Sequence, residues 1–425
     1  MTSKFVKRVL GNAGGVYEFL QFAAVKIWRI QHIMAELNIA GIINAIRSVI
    51  PSHKGPVSLH EPSLSGNEWI YVKDCLDSTW VSYVGRYVDK FESMLADFTG
   101  VKKVVAVVNG TAALHIALKL AGVKPGDEVF VPALTFVATA NAVAYCGAIP
   151  HFIDSEERTL GIDPYKLKDY LKNIAKLNSD SCFNKFSGRR IKVVIPMHTF
   201  GHPVDLDPLI EVCNEYKIEM VEDAAESLGS YYKGTHTGNC GKLSILSFNG
   251  NKTVTTGGGG AIITNNEHLG NLAKHLTSTA KIPHRWEYRH DDIGYNYRLP
   301  NINAALGCAQ MEQLSKFLEQ KRRLAARYQE AFKGMEGVRF FTEPPFAKSN
   351  YWLNVLLLDD AVSEKRDEVL ERTNESGFKT RPAWDPLNTL TIFKKSPIMD
   401  LGCAENLAKR LINIPSSSFL EKANA

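Results

Sequence analysis

Lys252 lies between the apolar run that ends at Phe248 and four consecutive glycines, 257–260. Ordering four glycines costs much conformational entropy, so they mark tight turns or backbone lying close to a ligand. A lysine in that position can form a Schiff base with a carbonyl group if its surroundings lower its pKa. The plainer reading is a solvated loop lysine. Asp223 follows the apolar pair Met220-Val221 within Glu222-Asp223-Ala224-Ala225-Glu226. An acid at the carboxyl end of a parallel strand sits where such sheets bind ligands. It could keep a cationic ring nitrogen protonated, or simply cap a helix. Asn109-Gly110-Thr111-Ala112-Ala113 joins another apolar run to a helical pattern. Free N–H groups at a helix start, with small residues around them, suit a phosphate. An N-cap would use the same residues. Gly294-Tyr295-Asn296-Tyr297-Arg298 is a fourth polar and aromatic cluster, and a cap does not account for Asn296 and Arg298 together.

These groups need a scaffold. Strands are expected at 104–108, 128–131, 149–153, 191–196 and 218–221. Helices are expected after Gly110 and at 135–146, 164–177 and 206–216. Strands alternating with helices predict a parallel, doubly wound α/β sheet. The stretch 178–190 reads as a polar surface loop. A long helix is expected from about 302 to 332. Strands at 338–341 and 352–358 and a helix at 364–375 follow, giving a smaller C-terminal α+β domain. The division expected is an N-terminal extension over 1–56, a large α/β domain over 57–310 and the small domain over 311–425.

Composition excludes classes rather than choosing a function. With 425 residues, 45% hydrophobic and 22% charged, the chain reads as an ordinary globular protein. Fifty Lys and Arg against 45 Asp and Glu leave +5, too slight and dispersed for a nucleic-acid footprint. Seven scattered cysteines with no C-x-x-C pair suit reduced thiols in a cytoplasmic protein. His198 and His202 have i, i+4 spacing, but Gly201 and Pro203 break any helix that would align them on a metal, so no metal site is expected. Glu18, Lys26 and Arg29 interrupt the apolar stretch 16–33, which rules against a stable membrane span. Met34 is an alternative start. The segment 39–50 reads as an amphipathic helix lying on a partner or a membrane surface.

Taken in order, N-G-T-A-A-L at 109–114, V-E-D-A-A at 221–225, S-F-N-G-N-K at 247–252 and G-Y-N-Y-R at 294–298 resemble the DegT–StrS family of sugar-nucleotide aminotransferases. The resemblance covers about 59–415. It implies pyridoxal 5'-phosphate as cofactor and an aspartate-aminotransferase-like fold, the fold type I of such enzymes. The S-F-N-G-N-K form, with L-H-E-P at 59–62 and T-R-P-A-W at 380–384, is similar to the branch acting on UDP-linked 4-keto-6-deoxy-N-acetylhexosamines.

Carried onto this chain, the resemblance gives Lys252 as the lysine that bonds the cofactor and Asp223 as the partner of its ring nitrogen. Phe136 matches the aromatic that stacks on the ring. Thr111, Ala112 and Ser247 match phosphate contacts, and Asn296 matches one supplied by the neighbouring subunit of a homodimer. Tyr83, Arg86, Arg298 and Arg381 are candidates for binding the sugar nucleotide or the carboxylate of L-glutamate, the expected donor, and an exposed structural role suits each equally. Many relatives carry histidine where Asn249 stands, and often a basic or aromatic residue in place of Glu226. Both positions are read as tuning substrate choice, outside the catalytic set. Relatives that dehydrate sugars replace the lysine with histidine, so Lys252 argues against that chemistry. A binding or regulatory protein on the same scaffold is the remaining alternative, and the intact pair Lys252 and Asp223 argues against it.

Overall fold

The computed structural model describes residues 37–50 and 55–422. The apolar stretch 16–33 and Met34 lie outside the described residues. In chain order the strands are β1 Lys103–Val107, β2 Glu128–Pro132, β3 Ile149–Ile153, β4 Ala175–Asn178, β5 Ser181–Asn184, β6 Arg190–Val194, β7 Glu219–Asp223, β8 Tyr231–Tyr232, β9 Thr235–His236, β10 Leu243–Ser247, β11 Gly260–Thr264, β12 Val338–Phe340, β13 Ala347–Lys348, β14 Asn354–Leu358, β15 Arg381–Pro382 and β16 Leu411–Ile414.

The central sheet runs β1-β11-β10-β7-β6-β2-β3, with the hairpin β4-β5 attached at β6. From β10 through β7, β6 and β2 to β3 the pairing is parallel, whereas β11 is antiparallel to both of its neighbours. Parallel strands need helical crossovers, which cover both faces and leave strands as continuous apolar runs. Val129, Phe130 and Val131 of β2 and Leu243 and Ile245 of β10 are accordingly buried. This is the doubly wound α/β sheet expected from the sequence. A second, antiparallel sheet, β12-β14-β16-β15, builds the smaller C-terminal α+β layer.

Local chemistry starts the helices that matter to the site. The Asn109 Oδ1 accepts the Ala112 N–H at 2.8 Å, so the helix Gly110–Leu120 begins immediately after β1. The next helix spans Val137–Tyr145, two residues later than expected, because Phe136 is held in extended backbone as its N-cap.

Three other expectations are corrected. The stretch 178–190 is no plain loop: β4 and β5 form a hairpin, and Cys182 pairs with Ile191 of β6. Its polar residues have a buried target, since Asn184 and Ser187 donate to the Glu128 carboxylate at 3.0 and 2.6 Å. The long helix expected over 302–332 is two, Asn301–Met311 and Leu314–Ala331. The break falls at Gln313, whose amide donates to Glu68 at 2.9 Å. The helix Ile39–Val49 forms as expected, but its apolar face is turned inward onto the same chain. Ile42 and Ile46 are fully buried in a cluster with Leu324, Tyr328, Leu356 and Ile414 of the same chain. Among the described residues no helix is long and apolar enough to cross a membrane.

Candidate active site

A cavity of about 630 Å3 opens where the carboxyl ends of β7 and β10 meet the start of the helix Gly110–Leu120. That size suits a small organic ligand. Lys252, Asp223, Thr111, Phe136, Ser247 and Arg381 all line it. Segments far apart in sequence thus deliver the predicted residues to one place, as a parallel sheet does at its carboxyl edge.

The wall is built by close backbone approach. A β-carbon on Gly260 would lie 2.5 Å from the Asn109 carbonyl carbon, so only glycine lets β11 pass against the helix start. This gives the last glycine of the run a structural cause. The first N–H groups of that helix have no partner within it, and its dipole places positive potential there. Thr111 stands at this end and Ser247 at the end of β10, so the site can receive a dianionic phosphate. Ala112 contributes differently, since its N–H is taken by Asn109.

Asp223 is buried, with Oδ2 accepting the Thr139 hydroxyl at 2.8 Å and Oδ1 the Ala225 N–H at 3.2 Å. Burial raises its pKa above the usual carboxylate range, against the pull of those donors and of Lys252. A buried carboxylate with one neutral donor on each oxygen still gains from a cationic N–H brought to it. Lys252 Nζ lies 3.2 Å from Glu226 Oε1 and 3.7 Å from the centre of the Trp352 ring. Glu226 also accepts the Phe200 N–H at 2.9 Å, and burial pushes its pKa up to about 7. Phe136 stays half exposed at the rim, and Trp384 stacks on Phe200 with centroids 4.9 Å apart.

These residues fit pyridoxal 5'-phosphate. A lysine, a buried acid, an aromatic side chain and a helix start line one cavity, and these are the groups that the cofactor's carbonyl, ring nitrogen, ring face and phosphate would need. Not every candidate joins them. Arg298 is buried elsewhere, in an ion pair with Glu92 at 2.7 Å, and does not reach the cavity of its own chain. Arg86 lines a separate, smaller depression and pairs with Asp74 at 2.7 Å. Tyr83 and Asn296 are exposed outside the cavity. His198 is occupied by Glu222 at 3.0 Å and by the Val204 N–H at 3.2 Å, so it does not pair with His202 on a metal.

Sequence reasoning gave no place to Thr139, Trp352 and Phe200. Thr139 carried no signal, being three residues past Phe136 in an ordinary helix. Trp384 stood within T-R-P-A-W, and Glu226 stood beside the V-E-D-A-A segment, but only folding shows what each touches.

The model of the DegT/DnrJ/EryC1/StrS aminotransferase family matches residues 62–425. The chain is 40% identical over 366 residues to EpsN of Bacillus subtilis (strain 168), covering 85% of this chain and 91% of EpsN; that protein is provisionally named a pyridoxal phosphate-dependent aminotransferase. It is 36% identical over 371 residues to a GDP-perosamine synthase of Caulobacter vibrioides, covering 87% of this chain and 95% of the relative. The solved aminotransferase TlmJ of Streptoalloteichus hindustanus superposes with a TM-score of 0.76 at 28% identity, over 85% of this chain and 94% of TlmJ. The chain therefore belongs to the DegT/DnrJ/EryC1/StrS aminotransferase family and is a pyridoxal phosphate-dependent aminotransferase of fold type I.

Proposed function

We propose that this enzyme moves an amino group from L-glutamate to the 4-keto group of a nucleotide-linked 4-keto-6-deoxy sugar. The observation that carries it is the convergence of Lys252, Asp223 and the helix start at Gly110 on one cavity. When bound, the cofactor supplies an electron sink for the carbon that carries the amino group. Lys252 Nζ takes a proton from the α-carbon of the donor and returns one in the second half of the cycle. Asp223 holds the ring nitrogen protonated, while Thr111, Ser247 and the helix start bind the phosphate. Phe136 packs against the ring, and Arg381 at the cavity rim meets an anionic group of the donor or the sugar nucleotide. Two substrates using one site in turn give ping-pong kinetics.

The sugar is read as a UDP-linked N-acetylhexosamine, on the motif S-F-N-G-N-K with T-R-P-A-W. A GDP-linked sugar is the second reading, favoured by the relative named GDP-perosamine synthase. The site is completed by a homodimer. In its support, Trp69, Trp80, Val84, Trp286, Tyr288 and Ile293 are largely exposed, and apolar surface of that kind marks association. Such a dimer brings the partner's counterpart of Asn296 to the phosphate. Tyr83 and Arg86 reach a nucleotide only across the same boundary. The cysteines of the described residues are all free, which supports a cytoplasmic location.

The test is the visible absorption of the protein loaded with pyridoxal 5'-phosphate. L-Glutamate should bleach the band, and Lys252→Ala should lack the wild-type band before glutamate is added. UDP-linked and GDP-linked keto sugars are then compared for restoring it. A wild-type band indifferent to glutamate and every other amino donor would overturn the reading.

A further inference from the structure

We propose that Glu226 and the Trp352 ring form a receiving site for the Lys252 amino group, in which Glu226 shares the lysine's proton whenever Lys252 is free of cofactor. The inference rests on the aminotransferase reading, because only a lysine that repeatedly leaves the cofactor needs a place to go.

The place is built rather than incidental. Glu226 is 4% exposed, and its second oxygen is fixed by the Phe200 N–H at 2.9 Å, so Oε1 cannot turn away from Lys252. The Trp352 ring is fixed as firmly. Its indole N–H donates to the Asn251 carbonyl at 2.7 Å, one residue before the lysine. Its own carbonyl accepts from buried Lys321 at 3.2 Å, and Lys321 also holds the Ser416 carbonyl at 2.6 Å. An ammonium 3.7 Å from an aromatic centroid is attracted by the face of the ring.

A carboxylate and an ammonium in such a pocket can interconvert with a carboxylic acid and a neutral amine. One proton crosses the 3.2 Å gap, and no other reactant is needed. Burial pushes the Glu226 pKa up to about 7, so this carboxyl takes a proton more readily than an exposed one. The neutral amine is the form that takes a proton from carbon, and the ammonium is the form that gives one back. Two other titratable groups sense Lys252. Asp223 is committed to Thr139 and Ala225, and the His60 ring is kept neutral by burial, then by Lys321 and Lys252. Neither is within hydrogen-bonding contact of Nζ, which leaves Glu226 as the group that receives the proton.

The test uses the full chain freed of cofactor. Lysines are methylated with formaldehyde and cyanoborohydride across pH, and the Lys252 peptide is followed by mass spectrometry. In Glu226→Gln the midpoint for Lys252 labelling should fall by about one pH unit or more, as when an opposite charge at this distance is removed. Labelling below the midpoint then rises about tenfold. Glu226→Asp keeps the charge but withdraws it by one methylene, so its midpoint should move the same way by less. Circular dichroism identifies the folded variants. A folded variant of either kind that titrates as wild type overturns the proposal. That failure is distinct from failure of the aminotransferase reading, which shows as a wild-type band that amino donors do not bleach.

Discussion

At the end of β7, Glu222 faces one way and Asp223, with Glu226, the other, and the two environments are opposite. Glu222 faces one side of the strand, where His198 and the N–H groups of Gly238 and Cys240 meet its oxygens at 3.0, 2.8 and 2.8 Å. Burial alone would raise its pKa, but His198 and the N–H groups of Gly238 and Gly241 hold it below the usual range. Asp223 and Glu226 face the cavity with fewer donors, and burial raises both. Adjacent residues alternate across a strand, so neighbouring acids are sent to different surroundings. A buried carboxylate with many donors is structural; one with few keeps a raised pKa and the capacity to exchange a proton or meet a cation.

Breaking the satisfied side should have the largest effect. Glu222→Ala strands His198 and the backbone donors, so it should cost about 3–5 kcal/mol of stability in a denaturant titration. Turnover per folded molecule should change little. On the cavity side the effects reverse. Asp223→Asn keeps a partner for Thr139 and removes a carboxylate that burial disfavours, so the melting temperature should hold or rise. The rate constant kcat should fall about 10²–10³-fold, as when one group that stabilises developing charge is lost.

A buried base sharpens the contrast. His202 has neither ring nitrogen paired and is packed against Phe341 and Tyr351, and burial lowers its pKa to about 3. The unfolded state therefore binds a proton that the folded state refuses between about 6.5 and 3, and stability falls as pH drops through that window. His202→Leu should flatten this acid limb by up to about 1.4 kcal/mol per pH unit. The smallest effect is expected at Arg86, whose pair with Asp74 is open to solvent. Arg86→Ala should leave the melting temperature unchanged. A raised KM for the sugar nucleotide in that variant would support delivery of Arg86 across the dimer.

Much of this was legible in the chain. The strands at β2, β3 and β7 and the helix starting at Gly110 were readable because parallel strands buried on both faces are continuous apolar runs with turn residues between them. Lys252, Asp223 and Thr111 drew notice because their segments sit at strand ends, whereas Phe136 and Ser247 were matched only through the family resemblance; all five line one cavity. The hairpin in 178–190 was hidden, since its polar residues are used to satisfy Glu128 rather than to meet water. The surroundings of Arg298 were hidden for the matching reason: it pairs with Glu92 inside the fold.

The sequence by itself determined the layered α/β architecture and the order in which chemical groups arrive at the sheet's carboxyl edge, because periodicity and turn chemistry are local properties. Only the tertiary structure decided which acid meets which donor. The distance between Glu226 and Lys252, the face of Trp352 beneath the ammonium and the covering of the helix Ile39–Val49 join residues far apart along the chain. Burial and partner count set the chemistry of a charged group, and neither exists until the chain has folded.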